Sequence, residues 1–106
     1  MEFLFINRTK DVFLMLPLEQ QAQIMDGSNA FIEKYAKKGT CKEIWAIPSI
    51  KGAASIWDVK SAEEGASLFR ENPATPFFDF EWYALSDFST QMKGQSQIYK
   101  KLLAKK

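Results

Sequence analysis

Residues 40–59 read TCKEIWAIPSIKGAASIWDV, and this stretch decides the fold. Residues 40–50 and 53–59 are rich in β-branched and aromatic side chains, which suit a pleated, half-buried surface. Lys51-Gly52 turns the chain between them. The two runs therefore predict an antiparallel hairpin. Pro48 cannot donate to a strand ladder, so the first run is expected at a sheet edge.

Upstream, residues 17–38 predict a long helix. Pro17 suits the first helical position. Leu18, Ala22, Met25, Ile32, Tyr35 and Ala36 recur at helical spacing and form the expected buried stripe. Asp26-Gly27-Ser28 marks a possible kink, and Gly39 is the expected C-cap after Lys34, Lys37 and Lys38. Before that helix, residues 2–7 (EFLFIN) predict a strand with apolar residues on both faces, which suits a central position.

Downstream, residues 61–71 predict a second helix. Ser61 caps it, Glu63 and Glu64 sit in its first turn, and Ala62, Ala66 and Phe69 face inward. Asn72-Pro73 ends it. Residues 77–85 (FFDFEWYAL) predict a last strand, with Phe78, Phe80, Trp82 and Ala84 on one face and Phe77, Asp79, Glu81 and Tyr83 on the other. Residues 88–105 predict an amphipathic C-terminal helix lined by Phe88, Met92, Gln95, Tyr99, Leu102 and Leu103.

The order is β-α-β-β-α-β with an extra C-terminal helix, an α+β, ferredoxin-like arrangement within one domain spanning residues 1–106. Two helices cover one face of such a sheet and leave the other open. Apolar side chains on both faces are too large a patch for a lone copy. A homodimer or larger homo-oligomer, packed sheet to sheet, is the expected state.

The composition narrows function. Nine Phe, three Trp and three Tyr among 106 residues supply a core large enough to exclude disorder. Lys100, Lys101, Lys105 and Lys106 crowd the C-terminus; the rest carries ten basic and thirteen acidic residues, which argues against nucleic acid as a partner. The chain has no His, so Ser-His-Asp and Cys-His chemistry is excluded. With one Cys, no His and no spaced carboxylate cluster, no metal site is expected. Cys41 has no partner for an intrachain disulfide, and a reduced, cytoplasmic setting is the expectation. The opening MEFLFINRTK does not read as a signal peptide, no stretch is apolar for long enough to span a membrane, and no membrane partner is expected.

The run GTCKEIWAIPSIKGAASIWDVKSAEE from Gly39, and NPATPFFDFEWYAL from Asn72, resemble the muconolactone isomerase family. The matching features are Gly39-Thr40, Trp45 in the second strand, Trp57-Asp58-Val59 followed by Ser61, and Pro76-Phe77-Phe78-Asp79-Phe80-Glu81. The family's Arg-x-x-Trp-Arg is represented by Lys42-Glu43-Ile44-Trp45-Ala46. The resemblance implies a dimeric α+β barrel and a cofactor-free isomerisation that moves a proton between two carbons of an unsaturated lactone.

Several residues are candidates for that chemistry. Asp79 and Glu81, two apart on a strand, share a face; one suits a general base and the other a charged orienter, though the pair also fits a solvated strand edge. Lys42 suits an anion partner or an edge guard, and Tyr83 a hydrogen-bond donor or a core filler. Trp45 and Trp57 suit either the walls of a flat small-molecule pocket or packing. A non-catalytic ligand-binding or structural oligomer is the alternative, and a cofactor-independent monooxygenase rests on fold analogy alone.

Overall fold

The computed structural model describes residues 1–105; Lys106, counted above in the basic C-terminus, lies outside the described residues. Strands β1 (Glu2–Thr9), β2 (Cys41–Ile47), β3 (Gly52–Asp58) and β4 (Phe78–Ala84) form one sheet in the order β2-β3-β1-β4. Every pairing is antiparallel. The hairpin, the central place of the first strand and the edge place of the second match the sequence expectations. The order is that of the ferredoxin-like fold.

Helices α1 (Asp11–Leu14), α2 (Leu18–Lys37), α3 (Ala62–Leu68) and α4 (Phe88–Ala104) complete the chain, with 3-10 turns at Pro48–Ile50, Phe69–Glu71 and Thr75–Phe77. The short α1 is absent from the sequence reading, because its four residues are too few to show a period. Pro17 stands outside α2, as its N-cap with extended backbone. The side chain of Ser61 accepts from the Glu64 N–H, the expected cap of α3. Lys51 takes a left-handed conformation in the β2–β3 turn, φ 53°.

One face of the sheet carries Phe3 and Phe5 of β1, Ser55 and Trp57 of β3 and Trp82 of β4. Phe5, Phe31, Tyr35, Cys41, Trp57 and Phe69 form the buried core against this face. Trp57 is 0% exposed, and its indole N–H donates to Ser55 Oγ at 2.8 Å, so the largest side chain enters the core with its polar atom satisfied.

The inward stripe of α2 differs from the expectation by one position. Phe31 and Tyr35 are buried, Ile24, Ser28 and Ile32 half-buried, whereas Leu18 is 82% exposed and Ala22 and Ala36 face water. Hydropathy alone chose the stripe with more apolar letters. The true one runs through Ser28 because the middle of α2 approaches the rest of the chain closely. The same closeness removes the proposed kink: α2 is one helix, and a Cβ on Gly27 would lie 2.6 Å from Pro73 Cγ. In α3, likewise, Gly65 rather than Ala66 is the buried residue, and Trp82 lies where its Cβ would be.

Tyr35 donates to Glu71 Oε2 at 2.7 Å, and Lys34 Nζ pairs with the same oxygen at 3.1 Å, tying α2 to the turn after α3. These two bonds hold the Glu71 carboxyl below its ordinary pKa, the tyrosine bond first. The stabilisation is present above the unfolded pKa of Glu71 and is lost as pH falls through the lowered folded value.

Two outcomes are expected. Gly27→Ala, which in an open helix would stabilise by about 1 kcal/mol, here lowers stability by about 1–3 kcal/mol through the Pro73 contact. Gly94→Ala, with nothing within 4 Å of the added Cβ, raises helix content instead. Thermal unfolding followed by circular dichroism reads both. Separately, the melting temperature falls between about pH 5 and pH 3, and Glu71→Gln flattens that fall; an unchanged acid limb would contradict the role of this tie.

Candidate functional site

Between α2 and the helix-side face of the sheet lies a cavity of about 380 Å³. This lies within the size range of small-molecule sites. Its floor is Phe5, Asn7 and Thr9 of β1 with Ala53 and Ser55 of β3. Met25, Ser28, Asn29 and Ile32 of α2 form the roof, and Ile44 and Ala46 of β2 form the edge wall. Phe69 and Asn72 line the inner end, and Phe78, opposite Thr9 in the ladder, completes the lining with Lys51 and Gly52 of the β2–β3 turn.

The sequence builds this space by local means. Along β1 the helix-facing positions change from Phe3 and Phe5 to Asn7 and Thr9, and along β3 from Trp57 to Ser55 and Ala53. Aromatic rings fill one half of the layer. Small and polar residues leave the other half unfilled. In α2 the corresponding change is from Tyr35 and Phe31 to Ser28.

The lining is apolar with neutral polar groups at Asn7, Ser28, Asn29, Ser55 and Asn72. Asn72 is buried, and its Oδ1 accepts from the Ala74 N–H at 3.0 Å, fixing the side chain. Among the described lining residues Lys51 is the one ionisable group, and no carboxylate is present. Such a surface can hold a flat ring between Phe5, Ile32 and Phe69, and offer amides and one cation to its oxygens.

The expected site residues fall elsewhere. Asp79 and Glu81 are exposed and lie on the helix-free face, where they line a groove of about 130 Å³ with Ile6, Arg8 and Ile50. The Tyr83 hydroxyl donates to the Glu81 carboxylate. The structure thus brings Asp79, Glu81 and Tyr83 together. It does not bring Lys42 to them: β3 and β1 separate β2 from β4, and Lys42 Nζ pairs with Glu2 Oε2 at 2.8 Å. That pairing raises the Lys42 pKa, chiefly through the hydrogen bond to Glu2. Arg8, opposite Asp79 in the ladder, is the cation beside the acidic pair.

Trp57 is a core residue and lines neither space. Trp45 stands 52% exposed on the edge strand, also outside both. Cys41 is buried, and burial raises its pKa, which keeps the thiol protonated. Among the described residues no three His, Cys, Asp or Glu gather as a metal-binding set, and no helix is long and apolar enough to cross a membrane.

A family model described as muconolactone delta-isomerase matches residues 1–91. The chain belongs to the muconolactone delta-isomerase family. Muconolactone Delta-isomerase of Acinetobacter baylyi (strain ATCC 33305 / BD413 / ADP1) is 30% identical over 71 residues, 67% of this chain and 74% of that one. A crystal structure of muconolactone isomerase superposes with a TM-score of 0.66 at 23% identity, covering 82% of this chain and 90% of the other, and so shares the fold.

Ala46 lines the cavity wall without charge. Lys51, five residues on, is the cation of the lining.

Filling the cavity tests whether it is the ligand site. Ala53→Phe places a ring over open floor rather than into packed core, so folding is retained. A small-molecule ligand that titrates the unaltered protein by calorimetry is expected to give no binding signal with this variant.

Proposed function

We propose that this chain binds a small unsaturated lactone or ring acid in the cavity between α2 and the sheet. The carrying observation is the lining: apolar side chains for a ring, side-chain amides and hydroxyls for its oxygens, and Lys51 for a carboxylate or a developing enolate charge. The family's name supplies the ligand class. Lys51 takes the anion-holding role that the sequence assigned to Lys42, whose ammonium is engaged by Glu2. No metal or cofactor is part of this reading.

A second reading is favoured by the Tyr83–Glu81 hydrogen bond. A proton shift along an unsaturated ring needs a group that removes the proton and returns it. The described cavity lining has no carboxylate, whereas the helix-free face has Glu81 and Asp79, with Tyr83 as donor and Arg8 beside them. Leu4, Ile6 and Ile56, with Trp45 and Tyr83, make that same face partly apolar. A second copy packed against it would remove the acids from water. In this reading the chain is a cofactor-free isomerase and a homodimer at least.

The two readings separate by paired variants. With muconolactone as probe, Lys51→Met is expected to weaken binding by about tenfold, the loss of one charged contact of about 1.4 kcal/mol. If the cavity alone handles the ligand, Glu81→Gln leaves both binding and any isomerisation unchanged. Loss of turnover in Glu81→Gln, with binding retained in Lys51→Met, would move the function to the sheet's other face.

A further inference from the structure

Helix α4 has no buried residue. It follows β4 at the end of the sheet marked by Glu2, and the chain as a whole reaches 66 Å along its long axis against 29 and 22 Å across. A helix of 17 residues is marginal alone in water. Its N-terminus is fixed by Asp87, which accepts from the Thr90 N–H and hydroxyl. A cap of this kind starts a helix but does not stabilise three further turns.

The helix has a docking face. Phe88, Met92, Gln95, Tyr99 and Leu102 recur at alternating steps of four and three, the seam spacing of a packed helix. Phe88, Tyr99 and Leu102 are more than half exposed. Residues 88–106 carry five Lys and no acidic residue, whereas residues 1–87 carry nine basic and thirteen acidic residues. Two copies of α4 laid side by side would juxtapose only like charges, which disfavours self-pairing. The acidic remainder of another copy is complementary.

One surface on that remainder is likewise uncovered. Val12, Leu14, Met15 and Leu18, on α1 and the start of α2, are all exposed, Met15 and Leu18 at 82%. Asp11 and Glu19 lie there with Lys10, and Arg8 and Lys51 border Asp11. Phe13 holds this shoulder in place by packing on Phe77, ring centroids 5.9 Å apart. The shoulder follows Thr9, at the opposite end of β1 from Glu2, beside which α4 departs. The helix leads away from its own shoulder.

We propose that α4 of one copy docks its Phe88–Met92–Tyr99–Leu102 face on the Val12–Leu18 shoulder of a second copy of this chain. The contact lies apart from the sheet's helix-free face, so it stands whether or not sheets also stack. It covers both of these apolar surfaces at once and sets the basic helix against the net-acidic remainder of the chain.

Disulfide trapping tests it in the full-length protein. One tagged chain carries Met15→Cys and another Leu102→Cys; the buried Cys41 stays as it is. Mild oxidation of the mixture is expected to give the mixed Met15–Leu102 cross-link. A symmetric Leu102 cross-link in its place, or none, overturns the proposal. A second readout uses Leu102→Glu, which leaves the core untouched. Amide exchange at residues 12–18 is expected to quicken at least severalfold in that variant. Unchanged exchange there, or protection of α4 only on vesicles of anionic phospholipid, overturns it as well.

Discussion

The ring of Phe69 holds the layers together. It lies 4.4 Å from the Phe5 ring, 4.8 Å from Trp57, 4.9 Å from Phe31 and 5.5 Å from Trp82, centroid to centroid. Those rings come from α2 and three different strands, and Phe69 itself begins the turn after α3. One side chain therefore fixes both the height of α2 over the sheet and the position of the α3 end. Thr75 Oγ1 donates to the Phe69 carbonyl at 2.6 Å, so its backbone is anchored too. Aromatic clusters of this kind combine large buried area with preferred ring geometries. The cavity inherits its inner wall from the same residue.

That arrangement explains why a small chain can keep an open space in its core. The aromatic half supplies the burial; the half lined by Asn7, Ser28, Asn29, Ser55 and Asn72 is free to stay unfilled. Voids lose dispersion contacts and destabilise. Here the polar lining lets water occupy the space when no ligand does, which limits that cost. Structure and site are thus divided along the length of the same strands rather than between separate elements.

Much of the fold could be read from the sequence. Turn residues, strand composition and the Ser61 cap are local signals, and they place the hairpin, the four strands and the three long elements of helix. The C-terminal half of the α2 stripe, Ile32 and Tyr35, was legible, whereas the N-terminal half was not, since Leu18 and Met25 outweigh Ser28 in hydropathy while Pro73 and the cavity decide the packing. The grouping of Asp79, Glu81 and Tyr83 follows from period-two alternation alone. The separation of Lys42 from them follows from strand order, which no single strand encodes. The cavity was invisible for the same reason: its lining comes from five elements and two connecting segments, each contributing ordinary residues. Lys51 looked like a turn residue, and it is one; its second role depends on the space beside that turn.

A crystal structure of the protein soaked with muconolactone decides which face of the sheet holds the ligand. Ring density is expected between Phe5, Ile32 and Phe69, with a ligand oxygen within hydrogen-bonding reach of Lys51 Nζ. Density against Asp79, Glu81 and Tyr83 on the helix-free face, with the α2 cavity holding only water, would contradict that placement.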